Sequence, residues 1–174
     1  MIRLHRSSRG ITLTELLVSV GILGLLVSVV GVFLINGIKF SRLSTSRGEI
    51  QRDARSCIDL INRSLRQGQA GTVTISRFNG SQPVCSMIEF TDIDNKEHRF
   101  YQNSKSFYAG FRNAGEPDWR DSRMAESMRN LFFTYPRMDD DTIVSVSVCF
   151  EKATYEGSSK TLQLSVEKIR IMNP

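Results

Sequence analysis

Residues 11–38 read ITLTELLVSVGILGLLVSVVGVFLINGI, and from 16 to 35 there is neither a charge nor a proline. A helix of about 20 apolar residues spans a hydrocarbon core of roughly 30 Å, so this stretch predicts a membrane-crossing helix. A buried helix in a soluble domain is seldom so long and so uncharged. A secretory signal peptide would have a shorter apolar run of about 7–15 residues, with small residues at a cleavage site behind it. No such site follows here. A plain signal anchor accounts for the length and the basic flank, but not for Glu15, an acid placed where the apolar run begins. A carboxylate at the centre of a bilayer helix costs on the order of 3 kcal/mol, and less near its end. Even there it calls for a partner.

On the N-terminal side stand MIRLHRSSRG and its three arginines, Arg3, Arg6 and Arg9; Lys39 and Arg42 follow the apolar run. With basic residues near both ends, the positive-inside count does not decide orientation. Residues 1–10 are too few to fold, which places them in the cytoplasm and the long C-terminal part outside. Gly10 has no side chain, so its peptide can lie extended in a narrow peptidase cleft. A cut there would create an ammonium at Ile11 and give Glu15, a carboxylate in low dielectric, a type of group with which to pair.

The run Arg9-Gly10-Ile11-Thr12-Leu13-Thr14-Glu15-Leu16-Leu17-Val18 resembles the cleavage and methylation motif of type IV prepilins and type II secretion pseudopilins. The resemblance implies a leader, residues 1–10, removed by a membrane-embedded prepilin peptidase between Gly10 and Ile11. It implies N-methylation of Ile11, and pairing of Glu15 with the N-terminal amine of a neighbouring subunit. The first mature residue in that family is commonly phenylalanine, here Ile11, and Thr14 stands where an apolar residue is common. Many major pilins have a proline near mid-helix, where this chain has Gly31 and Val32. The expected domains are the leader (1–10), a transmembrane and assembly half-helix (11–38), and an extracytoplasmic pilin-like domain (39–174). The implied partners are the peptidase, other pilin or pseudopilin subunits and an inner-membrane assembly platform. The expected location is the inner membrane, single-pass with the N-terminus cytoplasmic, and then a pilus or pseudopilus.

Within the apolar run, small residues recur at Ser19, Gly21, Gly24, Ser28 and Gly31. Gly24 and Ser28, four apart, form a small-xxx-small pair suited to close helix approach; small residues are also simply frequent in membrane helices.

Beyond residue 38 the period stays helical but becomes one-sided. Ile50, Ala54, Cys57, Ile58, Ile61 and Leu65 recur at three- and four-residue steps, with Arg52, Arg55, Asp59, Arg63 and Arg66 between them. Gly68 and Gly71 provide a stop. One helix from Ile11 to about Gln67 would be roughly 85 Å long at about 1.5 Å per residue.

After Gly71 the period falls to two. Strands are expected at 72–78, 84–92 and 97–102, the last two as a hairpin around Asp94-Asn95. Residues 107–121, with Gly110, Gly115, Pro117 and Trp119, read as a loop. Met124, Met128 and Leu131 stand at helical spacing and lead into a strand over 131–135. Residues 142–152 form the strongest strand, with Val144, Val146, Val148 and Phe150 inward. A turn at 156–159 leads to a partner strand at 161–172, with Leu162, Leu164 and Val166 inward. The predicted class is α+β, a long helix laid on an antiparallel sheet. This element order resembles the pilin fold, and the last strands resemble minor pilins and minor pseudopilins.

The net charge of +5 falls to +2 without the three leader arginines, so the basic balance makes a weak case for nucleic acid. Arg112, Trp119, Arg120, Arg123 and Arg129 form a basic region, but Glu116, Asp118, Asp121 and Glu126 interleave it. A mixed-charge surface is the better reading. Three cysteines, two distant histidines and no C-x-x-C argue against zinc. In an exported domain, Cys85 and Cys149, both in strand-like segments, are the candidate disulfide; three unpaired buried thiols are the alternative. Asp139-Asp140-Asp141 reads as a solvated loop before a calcium site, and Asp92, Asp94 and Asn95 as turn chemistry. His98 reads as a solvent-facing strand residue. No G-x-S-x-G, Walker loop or H-E-x-x-H occurs, so neither enzymatic activity nor a cofactor or metal is expected. The expected function is a non-catalytic minor pilin or pseudopilin. The alternative is a membrane-anchored extracytoplasmic module that binds a ligand or DNA.

Overall fold

The computed structural model describes residues 11–153 and 160–173. The leader, Gly10 included, and the turn expected at 156–159 lie outside the described residues. The chain divides into two units, Met1–Ser41 and Arg42–Pro174. Helix α1 (Leu13–Gln67, 55 residues) belongs to both. The remainder is antiparallel β-structure, which gives the expected α+β class.

In the second unit, the helix buries Ser46, Ile50, Ala54, Cys57, Ile58, Ile61 and Leu65. These include every position of the apolar stripe read from the sequence, because residues three and four apart share one helix face. The stripe residues join one core with Phe90, Phe100, Phe107, Phe133, Val146 and Phe150. The helix ends at Gly68, where an added Cβ would lie 2.8 Å from Phe90 Cδ2. Its last carbonyls find late partners. Ile93 N–H donates to the Gln67 carbonyl (3.2 Å), and Asn173 Nδ2 donates to Gln67 and Gly68 (3.4 and 3.3 Å). Helix ends need such donors, and here they come from a hairpin and from the far end of the sequence.

The strands form two sheets. A five-stranded meander contains β1 (Thr74–Ser76), β2 (Met87–Thr91), β3 (Lys96–Asn103), β4 (Ser106–Asn113) and β5 (Arg120–Ala125). A three-stranded one contains β6 (Met128–Thr134), β7 (Ile143–Ala153) and β8 (Lys160–Arg170). The single sheet expected from the sequence is therefore split. Gln102, only 3% exposed, joins the halves. Its Nε2 donates to the carbonyls of Ser104 (2.8 Å) and Arg129 (3.0 Å), and its Oε1 accepts Leu131 N–H at 2.9 Å. One side-chain amide thus takes the place of ladder bonds between β3 and β6. Phe133 N–H adds a bond to the Cys85 carbonyl at 2.8 Å.

Three sequence expectations change. Of the expected 107–121 loop, residues 114–119 do form a turn, whereas 107–113 belong to β4 and 120–121 begin β5. Gly110, which reads as a loop signal, is a strand residue beneath a crossing ion pair: a Cβ there would lie 2.1 Å from Asp121 Oδ1 and 3.0 Å from Arg99 Cγ. The short helical stretch through Met124, Met128 and Leu131 is instead two strands with a turn between them. Register shifts interrupt the pairing between Phe107 and Tyr108 and between Met128 and Asn130. The second lets Met128 and Leu131, three apart, both bury, because an extra residue turns a period of two into a step of three.

Finally, Leu162, Leu164 and Val166 face outward, 52%, 57% and 61% exposed. They pair with Glu151, Cys149 and Ser147, whereas Gln163, Ser165, Glu167 and Ile169 stand opposite the buried Phe150, Val148, Val146 and Val144. A shift of one residue exchanges the faces of a strand. Ile169 joins the core, but the rest of this inner face is polar and meets a polar helix position: Asn62 Nδ2 donates to Glu167 Oε1 at 2.7 Å.

Replacing Gln102 with leucine should lower stability by on the order of 3 kcal/mol, because it leaves buried Leu131 N–H and two carbonyls without their partner. Urea unfolding of the full chain, followed by Trp119 emission, measures this. An unchanged midpoint would show that the seam does not depend on the amide.

Candidate functional site

The helix begins where the sequence places its unusual acid. Thr12 precedes the first helical residue, and Glu15 stands in the first turn. The Thr12 hydroxyl accepts Glu15 N–H at 3.3 Å, while Glu15 Oε2 accepts Thr12 N–H and Oγ1–H, both at 3.4 Å. This is a capping box, in which two otherwise unpaired donors at a helix start satisfy each other's residues. Thr-x-x-Glu before an apolar run is the sequence signal for it.

Large apolar side chains from Leu13 to Phe40 are each at least 55% exposed. The helix is long and apolar enough to cross a membrane, with a mean hydropathy of 2.7 over its most apolar window. Its hydroxyls are already satisfied. Ser19 donates to the Glu15 carbonyl (2.8 Å) and Ser28 to that of Gly24 (2.9 Å). Such back-bonding lets serine sit in hydrocarbon without an unpaired donor. At Gly21, Gly24 and Gly31 an added Cβ would meet nothing within 4 Å beyond the adjoining residues and the helix's own backbone, so packing within the chain does not require glycine there.

On the folded domain, the basic region is charge-neutralised. Arg112 pairs with Glu97 (2.5 Å), Arg120 with Glu116 (3.5 Å), Arg123 with Glu126 (2.9 Å) and Arg129 with Glu151 (3.0 Å). Arg99 pairs with Asp121. The guanidinium carbons of Arg99 and Arg112 lie 4.3 and 4.5 Å from the Trp119 ring centroid. This is the interleaved mixed-charge surface expected from the sequence.

His98 corrects its solvent-facing assignment. Its Nε2 lies 2.9 Å from Asp92 Oδ2, and its ring stacks on Phe90 with centroids 5.4 Å apart. Asp92 Oδ1 accepts the N–H groups of Asp94 and Lys96 at 2.8 and 2.9 Å, and Asn95 adopts φ 58°. Turn chemistry thus accounts for the hairpin acids. Burial pushes the Asp92 carboxyl up, but His98 and the two backbone donors outweigh it and hold the group below its ordinary range. Asp140 Oδ1 accepts Thr142 N–H (3.0 Å) and Oγ1–H (2.5 Å). Among the described residues, no group of three or more His, Cys, Asp or Glu side chains is placed to hold a metal ion.

Cys57, Cys85 and Cys149 are all free thiols. Cys85 bonds through its carbonyl to β6, while Cys149 lies on β7, across from Asn130. With β6 between them, and their neighbours Phe133 and Asn130 three residues apart along it, their backbones are more than two strand spacings, over roughly 10 Å, apart, beyond the roughly 7 Å a disulfide can span. The bridge expected between Cys85 and Cys149 gives way to three separate thiols. Burial pushes the Cys57 thiol up to about 12.

Residues 5–31 match the family model of the prokaryotic N-terminal methylation motif. The chain therefore carries the signature of type IV prepilins and pseudopilins, a class of generally structural rather than catalytic subunits. No curated protein matches the chain.

Thr12→Val should remove one half of the capping box at a cost of about 1 kcal/mol. Amide exchange at residues 13–16 in micelles should rise about fivefold, and unchanged exchange would refute the cap. The site around Asp92 gives a pH dependence of defined sign. A folded pKa below the unfolded one stabilises the domain above about pH 4, and that stability is lost as the pH falls through the lowered value. Asp92→Asn should therefore flatten the acid limb of stability between about pH 5 and pH 2. A denaturant midpoint measured across that range tests it.

Proposed function

We propose that this protein is a minor pilin or pseudopilin, a non-catalytic subunit that enters or primes a type IV pilus-like or type II secretion filament. The observation that carries this reading is the methylation motif at residues 5–31, continuous with an exposed apolar helix whose first turn contains Glu15.

In this reading the protein is inserted in the inner membrane with residues 1–10 in the cytoplasm. Prepilin peptidase cuts between Gly10 and Ile11 and methylates the new amine of Ile11. An assembly platform then extracts the helix. The side chains from Leu13 to Phe40 exchange lipid for the helices of other subunits, and the open flanks at Gly21, Gly24 and Gly31 allow close approach. Glu15 pairs with the N-terminal amine of a neighbour. A carboxylate and an ammonium in low dielectric attract strongly, and breaking such a pair by removing one member costs on the order of 3–5 kcal/mol. That contact fixes axial register, while apolar packing supplies most of the association.

Mature protein from cells should lack residues 1–10 and have one added methyl group by intact mass. Retention of the leader in the presence of the peptidase would reject the reading. Glu15→Gln is the informative variant, because glutamine can still complete a capping box but has no charge. It should be cut normally yet enter filaments at no more than about a tenth of the wild-type level, consistent with loss of a buried pair. Normal incorporation would remove the charge pairing from the account.

A further inference from the structure

The outer face of β8 presents, at alternate positions, Lys160, Leu162, Leu164, Val166, Lys168 and Arg170. The three apolar side chains are more than half exposed, and Phe132 of β6, 36% exposed, extends them sideways across Ser147. Strand β8 ends its sheet: β7 pairs along one edge over all 11 residues, and no described strand lies on the other. Long apolar edge strands are templates for pairing with another chain and are usually shortened, covered or interrupted by charge. Here the charges stand at the ends and the centre is left apolar.

The charge pattern selects the occupant. Antiparallel pairing with a second copy, centred on Leu164, would set Lys160 opposite Lys168; centred on Ser165, it would set Lys160 opposite Arg170. Like charges directly across a ladder are destabilising, so these symmetric registers are disfavoured. Lys160 shares one carboxylate, Glu151, with Arg129, at 2.5 and 3.0 Å. Lys168 makes no ion pair among the described residues. Arg170 has Asp140 as an acidic neighbour, so the demand that no described acid meets lies at Lys168.

We propose that β8 is a docking edge for an extended strand of a different protein chain, added by backbone pairing. Its alternate side chains would be apolar opposite Leu162, Leu164 and Val166 and acidic opposite Lys168 and Arg170. Backbone bonds supply affinity in this mode, and alternate side chains supply selectivity. The proposal stands on the edge itself and does not depend on cleavage or filament entry.

The test uses the full chain in nonionic detergent micelles. The probe is a synthetic peptide whose alternate positions read glutamate, glutamate, valine, valine, valine, with threonine between. At saturation it should slow amide exchange across residues 160–170. The same peptide with lysine for glutamate should bind about tenfold more weakly, and Lys168→Glu should reverse that preference. Leu164→Lys, a change on a solvent face, should weaken binding about tenfold and leave the unfolding midpoint unchanged. Unslowed exchange at saturation, or equal affinity for the two peptides, would overturn the proposal. So would protection of β8 without peptide: if it rises with chain concentration and Leu164→Lys abolishes it, the occupant is a second copy. If it appears only on reconstitution into phosphatidylglycerol vesicles, the occupant is a lipid surface.

Discussion

Burial of one helical stripe, Ile50 through Leu65, holds the folded domain together. Both sheets contribute to the core that receives it, and neither sheet has another layer to cover it among the described residues. Each fully buried aliphatic or aromatic side chain contributes about 1.5–3 kcal/mol, and Ile61 and Leu65 are completely enclosed. The same helix is exposed and apolar through Phe40. One secondary-structure element therefore serves two solvents, and the change from all-round to one-sided hydrophobicity along it marks where the domain begins.

That change was legible because helical periodicity is a local property. The stripe was read residue for residue, as were the hairpin at Asp94-Asn95 and the inward set Val144, Val146, Val148 and Phe150. What could not be read depended on partners distant in sequence. Whether Leu162 or Gln163 faces inward is settled by register against β7 and by Asn62 reaching Glu167. Gly110 signals a loop until Arg99 and Asp121 are seen to cross it. Met128 and Leu131 imitate a helix because a bulge supplies the missing residue. Gln102 carries no local sign that it will join two sheets.

At the candidate site, the Gly10-Ile11 and Glu15 motif was legible as a resemblance, and the family model covers the same stretch. The capping box was equally available, since Thr12 and Glu15 stand at the required spacing. Its signal coincides with the motif that assigns the same acid to charge pairing. His98 and the cysteines are the opposite case: their pairing depends on which turn or strand lies beside them. Asp92 is six residues from His98, but only the hairpin brings the ring to the carboxylate. Cys85 and Cys149 both lie near strands, and it is the strand between them that keeps them apart.

Under the proposed function Glu15 has two roles, and together they account for an acid where it stands. A carboxylate entering hydrocarbon without partners would be penalised in every molecule awaiting assembly. The N–H and hydroxyl of Thr12 meet part of that demand within the chain. These bonds are long, at 3.4 Å, and neutral donors bind a carboxylate less strongly than an ammonium does. A nearby amine can therefore displace them at modest cost. Under the proposed function, the cap holds the acid before a partner arrives, and its weakness leaves most of the pairing energy for the contact between subunits.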